Sequence, residues 1–235
     1  MSTEPLPLDH AESEPLPLPV RLGRRVLREL LSWVWVGVAF LLITGTIVQA
    51  RVIPSESMEN TLLVGDHLLM SRLGYGIGLP FMKYQMRLWR EPRRQQMVIF
   101  HSPIPGTDED FIKRLIALPG DRVEIRRGVV FVNDAPLAEP YRNGVPDADD
   151  NYGPVLIPSQ EYFVLGDNRD DSYDSRYWGF VPESAILGTP LMIYMSIEAS
   201  DDAWQPGQVR ERFWAYRNAV LHPHLVRWRR LFRWF

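Results

Sequence analysis

The chain has 235 residues, 46% of them apolar and 11% aromatic, enough for one packed core with appendages and too much for a wholly disordered protein. A formal net charge of −3 is too mild to imply nucleic-acid binding. No cysteine is present, which removes disulfides, thiolate metal sites and a cysteine nucleophile together.

Residues 1–20 carry Glu4, Asp9, Glu12 and Glu14 among five prolines with no apolar periodicity, and read as a disordered tail. Arg21, Arg24, Arg25 and Arg28 follow, and then an uncharged run from Leu30 to Ala50. About twenty helical residues span the roughly 30 Å hydrocarbon core, so 21–50 is predicted as a basic flank and a transmembrane α-helix. A buried soluble helix and a cleavable secretory leader compete with this. The run is longer than a usual leader core, and Val48-Gln49-Ala50 is a poor cleavage site. Arginines on its N-terminal side put the tail in the cytoplasm and everything after residue 50 outside.

From about 90 to 200 the texture changes to short runs rich in β-branched and aromatic residues at 96–100, 110–116, 122–125, 129–132, 162–165 and 190–195. Turn signals such as Pro119-Gly120-Asp121, Asn133-Asp134 and Gly166-Asp167-Asn168 separate them, which predicts a mainly antiparallel all-β domain over 51–204. Residues 139–160, with four prolines, read as a long surface loop. In the basic segment 205–235, Leu225, Trp228, Leu231, Phe232 and Phe235 share one arc of a helical wheel, with Arg227, Arg229, Arg230 and Arg233 around them. Such a segment suits an amphipathic helix on an anionic membrane surface, or aromatics folded back onto the β-domain. Both remain open.

Three segments carry chemistry. The first, Ile53-Pro-Ser-Glu-Ser-Met58 with Thr61-Leu62, holds two hydroxyls after a proline, by itself an ordinary turn. In the second, strand alternation would set Phe111, Lys113 and Leu115 on one face and Ile112, Arg114 and Ile116 on the other. A lysine between apolar neighbours loses affinity for its proton, because burial penalises the ammonium, and a neutral lysine can activate a serine. A lysine that snorkels to the surface is the plainer alternative. The third, Gly166-Asp-Asn-Arg169 through Ser175-Arg176-Tyr177-Trp178-Gly179, packs charged and hydroxyl groups into a turn after a strand, where side chains cap backbone or position a site.

In order and content these segments, with Lys113-Arg114 running on to Leu118-Pro-Gly-Asp121, resemble the signature boxes of bacterial type I signal peptidases, the Ser/Lys-dyad leader peptidases. The resemblance covers roughly residues 30–198. It implies a coiled β-fold of antiparallel sheets, shared with repressor-type proteases, carrying a small inserted β-subdomain at about 122–160. It implies Ser57 as acylated nucleophile, Lys113 as general base, and an oxyanion hole from the Ser57 N–H and the Ser55 hydroxyl. Ser172 would orient the lysine, with Asp174 and Arg176 bracing the site. Ile53, Met58, Leu62, Phe111 and Ile112 would line shallow pockets for small side chains before the cut.

The implied activity is removal of signal peptides from exported pre-proteins after small-x-small ends, by a single-pass enzyme of the bacterial inner membrane. Its partners would be pre-proteins delivered by the export machinery and membrane lipid, with no cofactor, no metal and no nucleic acid. The insert looks short for the family, one span precedes Ser57 where two are usual in gram-negative members, and Glu56 stands where a small residue is common. His67 and His101 raise a Ser/His alternative, but both lie in contexts where structural or exposed histidines are commoner. A self-cleaving regulator with the same dyad is the enzymatic alternative, against which the predicted anchor speaks. An anchored binding module is the other, against which the intact Ser57 and Lys113 speak.

Overall fold

The computed structural model describes residues 18–75, 77–78, 85–86 and 91–235, with side chains for 25–40, 47–75 and 91–235. The tail expected at 1–20 lies outside the described residues up to residue 17. The chain divides into two compact units between Leu42 and Ile43.

Helix α1 (Leu18–Thr46) belongs to the first unit as far as Leu42. Its apolar side chains are exposed on successive positions, among them Leu30, Leu31, Trp33, Val34, Trp35 and Val36. Among the described residues, no helix is long and apolar enough to cross a membrane. The predicted anchor continues through 41–46, whose side chains lie outside the described set. Its far end differs from expectation. The helix stops at Thr46, and Val48–Val52 forms strand β1, where residues such as Val48 and Val52 suit a pleated ladder.

The second unit is mainly antiparallel β-structure, as the β-rich runs and their turn signals predict. Strands β2 (Asp66–Ser71), β3 (Ile77–Gly78), β4 (Gln85–Met86), β5 (Met97–His101) and β6 (Asp110–Ala117) come first. They are followed by β7 (Arg122–Arg126), β8 (Val129–Val132), β9 (Ala135–Pro136), β10 (Tyr152–Leu156), β11 (Glu161–Leu165), β12 (Val181–Pro182) and β13 (Ile186–Ser196). Seven of them form a sheet in the order β1-β2-β13-β5-β6-β11-β12, and β10-β7-β8-β9 form a second sheet within the span expected for the insert. β3 and β4 pair with each other.

Both faces of the large sheet are covered, so side chains of both parities on β6 are buried. Leu115, with Phe111 against it, packs with Val98, Phe100 and Val164 on one side. Ile116 joins Phe163, Leu165 and the second sheet, while Ile112 packs against Ile53, Met58 and Leu62. β6 is thereby held between β5 and β11, and whatever it carries is fixed from both neighbours.

The C-terminal segment corrects the wheel. Residues 225–235 do not form a helix. Helix α2 (Ser175–Trp178) is followed in the chain by a longer helix, α3 (Val209–Leu221), and beyond it come 3₁₀ turns at Pro223–Leu225 and Trp228–Arg230. Their backbone bonds run to β13 instead of four residues back: Arg227 N–H donates to Ser196 O, Phe232 N–H to Ile193 O and Phe235 N–H to Leu191 O. Carbonyls of β13 satisfy these groups, so no helix is needed to do so. Ala215 and Ala219 of α3 pack on Trp204 and Ile197, which docks α3 on the β-domain, while Trp228, Phe232 and Trp234 stay exposed.

Candidate active site

Pro54 and Ser55 lead out of β1 in extended conformation into a one-turn 3₁₀ helix, Glu56–Met58. Ile53, Met58 and Leu62 are 0–3% exposed, and these three plugs hold the turn against the sheet. Ser57 between them is 7% exposed. Ser55 Oγ lies 3.4 Å from Ser57 Oγ. The loop after β11 grips the turn from the other side: Asn168 N–H donates to Ser57 O at 3.1 Å and its Nδ2 to Glu56 O at 3.3 Å. Glu56 is wholly exposed, and its carboxyl is raised above the usual range first by the charge of Glu59, then by slight desolvation, Asp201 and Asp171.

Lys113 is 5% exposed, and its Nζ donates to Ser172 Oγ at 3.0 Å. Burial lowers its pKa from the usual 10.5 to about 8. The Asp174 charge opposes that shift and Arg176 reinforces it, with weaker opposition from Asp171 and Asp167. Among the described residues Lys113 makes no hydrogen bond to Ser57. The two are nevertheless brought to one place by Gly166. A Cβ built on this glycine would lie 2.5 Å from Ser57 O and would overlap Ser172 Cβ and Oγ, the lysine's partner. Only a residue without a side chain lets the loop approach this closely. Gly166→Ala should therefore cost about 1–3 kcal/mol, as overpacking does. A urea midpoint equal to that of the parent protein would show that both Ser172 and the Ser57 carbonyl give way freely.

The loop carrying Ser172 is itself braced. Asp174, with no exposed surface, accepts from Gly166 N–H at 3.1 Å and caps α2 through Arg176 N–H. Arg176 bonds Asp174 from Nε at 2.9 Å, reaches Asp150 from Nη1 at 3.0 Å, and from Nη2 donates to Arg169 O at 2.6 Å. Ser175 Oγ accepts from Val164 N–H. All three groups expected to orient or brace the lysine thus meet at one loop.

Sequence reasoning left a second set without roles. Arg114, next to Lys113, forms a fork with Asp167, Nε to Oδ1 at 2.7 Å and Nη2 to Oδ2 at 2.5 Å, with Asp167 fully buried. Thr61 Oγ1 donates to the same carboxylate, and the Tyr141 ring lies 3.8 Å beneath the guanidinium. The signal was available: a charged pair Lys-Arg on a strand covered on both faces demands a buried partner for each member.

The five expected pocket residues separate. Ile53, Met58 and Leu62 are closed into the core with the partly exposed Ile112, while Phe111 stands in another cluster, edge-on to Phe100. Of the five, only Phe111 and Ile112 keep surface for a bound peptide. The histidines are engaged elsewhere. His67 is buried, bonded to Gly65 O and the Tyr216 hydroxyl, and burial lowers its pKa. His101 is exposed and paired with Asp110 at 2.7 Å.

A buried amine of lowered basicity beside a serine turn is an arrangement found in more than one kind of hydrolase, and comparison with known proteins narrows it. The family model for signal peptidase, peptidase S26, matches residues 26–195. The chain is 41% identical over 155 residues to a probable signal peptidase I-2 of Synechocystis sp., covering 64% of this chain and 65% of that one. It is 34% identical over 180 residues to a signal peptidase I of Leptolyngbya laminosa, covering 73% and 82%. A crystal structure of a signal peptidase I from Enterococcus faecalis is similar at 32% identity and a TM-score of 0.37, over 43% of this chain and 97% of that one. The matched span holds the serine turn, β6 and the Gly166–Gly179 loop, and on that ground the chain belongs to the signal peptidase family, peptidase S26.

Proposed function

We propose that this chain is a membrane-anchored serine endopeptidase that removes signal peptides from exported pre-proteins after small-x-small ends. Lys113 carries the proposal: an amine 5% exposed, with its pKa lowered to about 8, is partly neutral near physiological pH and can accept a proton.

In the proposed reaction Ser57 Oγ attacks the scissile carbonyl carbon as its proton passes to Lys113 Nζ. The oxyanion accepts hydrogen bonds from the Ser57 N–H and the Ser55 hydroxyl, whose oxygen lies near that of Ser57. The Ser57 N–H sits in the first turn of a helical segment, where amides have no intrahelical partner. The C–N bond then breaks, and the lysine ammonium gives its proton to the departing amine. Water, giving a proton to the lysine, attacks the resulting ester; the acyl C–O bond to Ser57 breaks, and the lysine ammonium returns the proton to Ser57 Oγ. Ser172 keeps Nζ aimed throughout, and Asp174 and Arg176 hold the loop that carries Ser172.

Membrane anchoring is assigned to α1. Its apolar side chains are exposed on all sides from Leu30 to Phe40, a pattern that needs an apolar solvent. The tail then faces the cytoplasm and the β-domain the outside of the inner membrane, where the export machinery delivers its substrates. Purified full-length protein in detergent should cut a pre-protein once, after a small-x-small end, with the site read by mass spectrometry. In spheroplasts, external protease should degrade the β-domain and spare a tag on Met1. A cut elsewhere, or a digested tag with a protected domain, overturns the respective half of the proposal.

A further inference from the structure

The segment that replaced the predicted terminal helix holds an ion pair on a buried carboxylate. Arg230, in the 3₁₀ turn Trp228–Arg230, places Nε 3.0 Å from Asp66 Oδ1 and Nη2 2.5 Å from Asp66 Oδ2. Asp66 has no exposed surface, and it also accepts from Leu63 N–H at 2.8 Å and Ser196 Oγ at 2.6 Å. Nη2 of Arg230 makes one more bond, to Thr61 O at 3.0 Å. Three residues upstream, Arg227 donates from Nη1 to Val64 O at 2.9 Å.

These contacts all fall on the short link from the serine turn to β2. Thr61 is the hinge of that link. Its N–H and that of Leu62 both donate to Met58 O, at 3.1 and 2.8 Å, so its backbone is tied to the residue after Ser57. Its hydroxyl donates to Asp167, the partner of Arg114, and Asn168 next to Asp167 holds Ser57 O. Thr61 is therefore fixed at its hydroxyl by the β6–β11 side of the site and at its carbonyl by the C-terminal segment. Loss of one fixation leaves the turn free to rotate about the other. A carbonyl without its donor in a buried setting is also driven to reorient, since an unsatisfied polar group costs more than a bond contributes.

We propose that Arg230 is a positioning residue for acylation: docked on Asp66 and Thr61, it sets the orientation of the Ser57 turn without touching the substrate. The proposal rests on Ser57 being the nucleophile. A displacement of about 1 Å at a reacting atom costs on the order of 10²-fold in rate, and such an effect falls on kcat more than on KM.

The experiment compares full-length wild type with Arg230→Ala, Arg230→Lys and Ser57→Ala in detergent on one pre-protein, with hydrogen exchange on the same samples. Arg230→Ala should lose about 10–10²-fold in kcat with KM nearly unchanged, by the misplacement argument. The amides of Thr61 and Leu62 should exchange faster while those of β6 and β11 keep their protection. Free guanidinium ion, which fits the space vacated, should restore part of the rate where an equal concentration of sodium chloride does not. Arg230→Lys keeps the charge but cannot serve Asp66 and Thr61 through one planar fork, and should fall between the two. Wild-type kcat in Arg230→Ala overturns the proposal. So does a rate loss that matches the fraction unfolded and does not respond to guanidinium. Should Arg230→Ala fail to fold, Arg230→Lys decides by the same two readouts. If Ser57→Ala cleaves like wild type, the serine assignment has failed, while exchange at Thr61 still reports whether Arg230 governs the turn.

Discussion

Lys113→Arg should leave no measurable cleavage at any working pH, although it preserves charge and nearly preserves length. A guanidinium stays protonated, so it cannot take the Ser57 proton, and its fork does not fit a site built for one bond to Ser172. Ser57→Ala should be equally inactive. In the wild type, kcat/KM should rise with pH along a limb centred near 8, where the buried amine loses its proton, well below 10.5. The same shift has a sign for stability. The folded state holds the Lys113 proton less tightly than the unfolded chain, so between about 8 and 10.5 the unfolded chain binds more protons and stability rises with pH. Below 8 the folded protein bears the whole cost of a desolvated ammonium. Lys113→Met, similar in length and without charge, should therefore be dead yet unfold at the same temperature as wild type at pH 7, or higher. His67→Ala and His101→Ala should keep cleavage. A dead histidine variant beside an active Lys113→Arg would move the base to an imidazole.

Asp167→Ala should be the most destabilising change near the site, by about 3–5 kcal/mol, because it strands a buried guanidinium. Arg114 is 8% exposed, and its partners besides Asp167 are Gln95 O, Thr61 Oγ1 and the Tyr141 ring. None of them carries a negative charge. The loss extends beyond one ion pair, since Thr61 and Asn168 reach the Ser57 turn from either side of Asp167. Urea unfolding should show the midpoint shift, and cleavage at temperatures where the variant is still folded should be reduced. Replacing both members together, as Arg114→Met with Asp167→Leu, should recover much of the stability and little of the activity. A single Asp167→Ala within 1 kcal/mol of wild type would mean that water enters and solvates Arg114.

What was legible in the sequence was what depends on neighbours in the chain. Short runs rich in β-branched and aromatic residues located β5, β6, β7, β8, β11 and the core of β13, and turn residues such as Pro119-Gly120 separated them. Lys113 between Phe111 and Leu115 announced its own desolvation, while Ser172 as its partner followed only from the resemblance to signal peptidases. Contacts across long separations were not legible. Nothing local to Arg230, one of a run of arginines among aromatics, marks it as the partner of Asp66, 164 residues away. The wheel at 225–235 misled because it weighs only side-chain spacing, while the conformation there is set by backbone groups that pair with β13. Which of the expected pocket residues a peptide would touch was not legible for a similar reason. Apolarity predicts that Met58 and Leu62 turn away from water, but not whether a peptide or the protein's own sheet covers them.

The distance along the chain between Asp66 and Arg230 also has a meaning in time. At translation rates of about 5–20 residues per second, residue 230 follows Asp66 out of the ribosome by roughly 8–30 s. Over the last third of that interval, once residue 176 is out, the serine turn, β6 and the lysine loop all exist as chain while Thr61 O still lacks its donor and Asp66 its guanidinium. A nascent copy of the chain therefore lacks that second fixation of Thr61 until its C-terminal segment has emerged and docked.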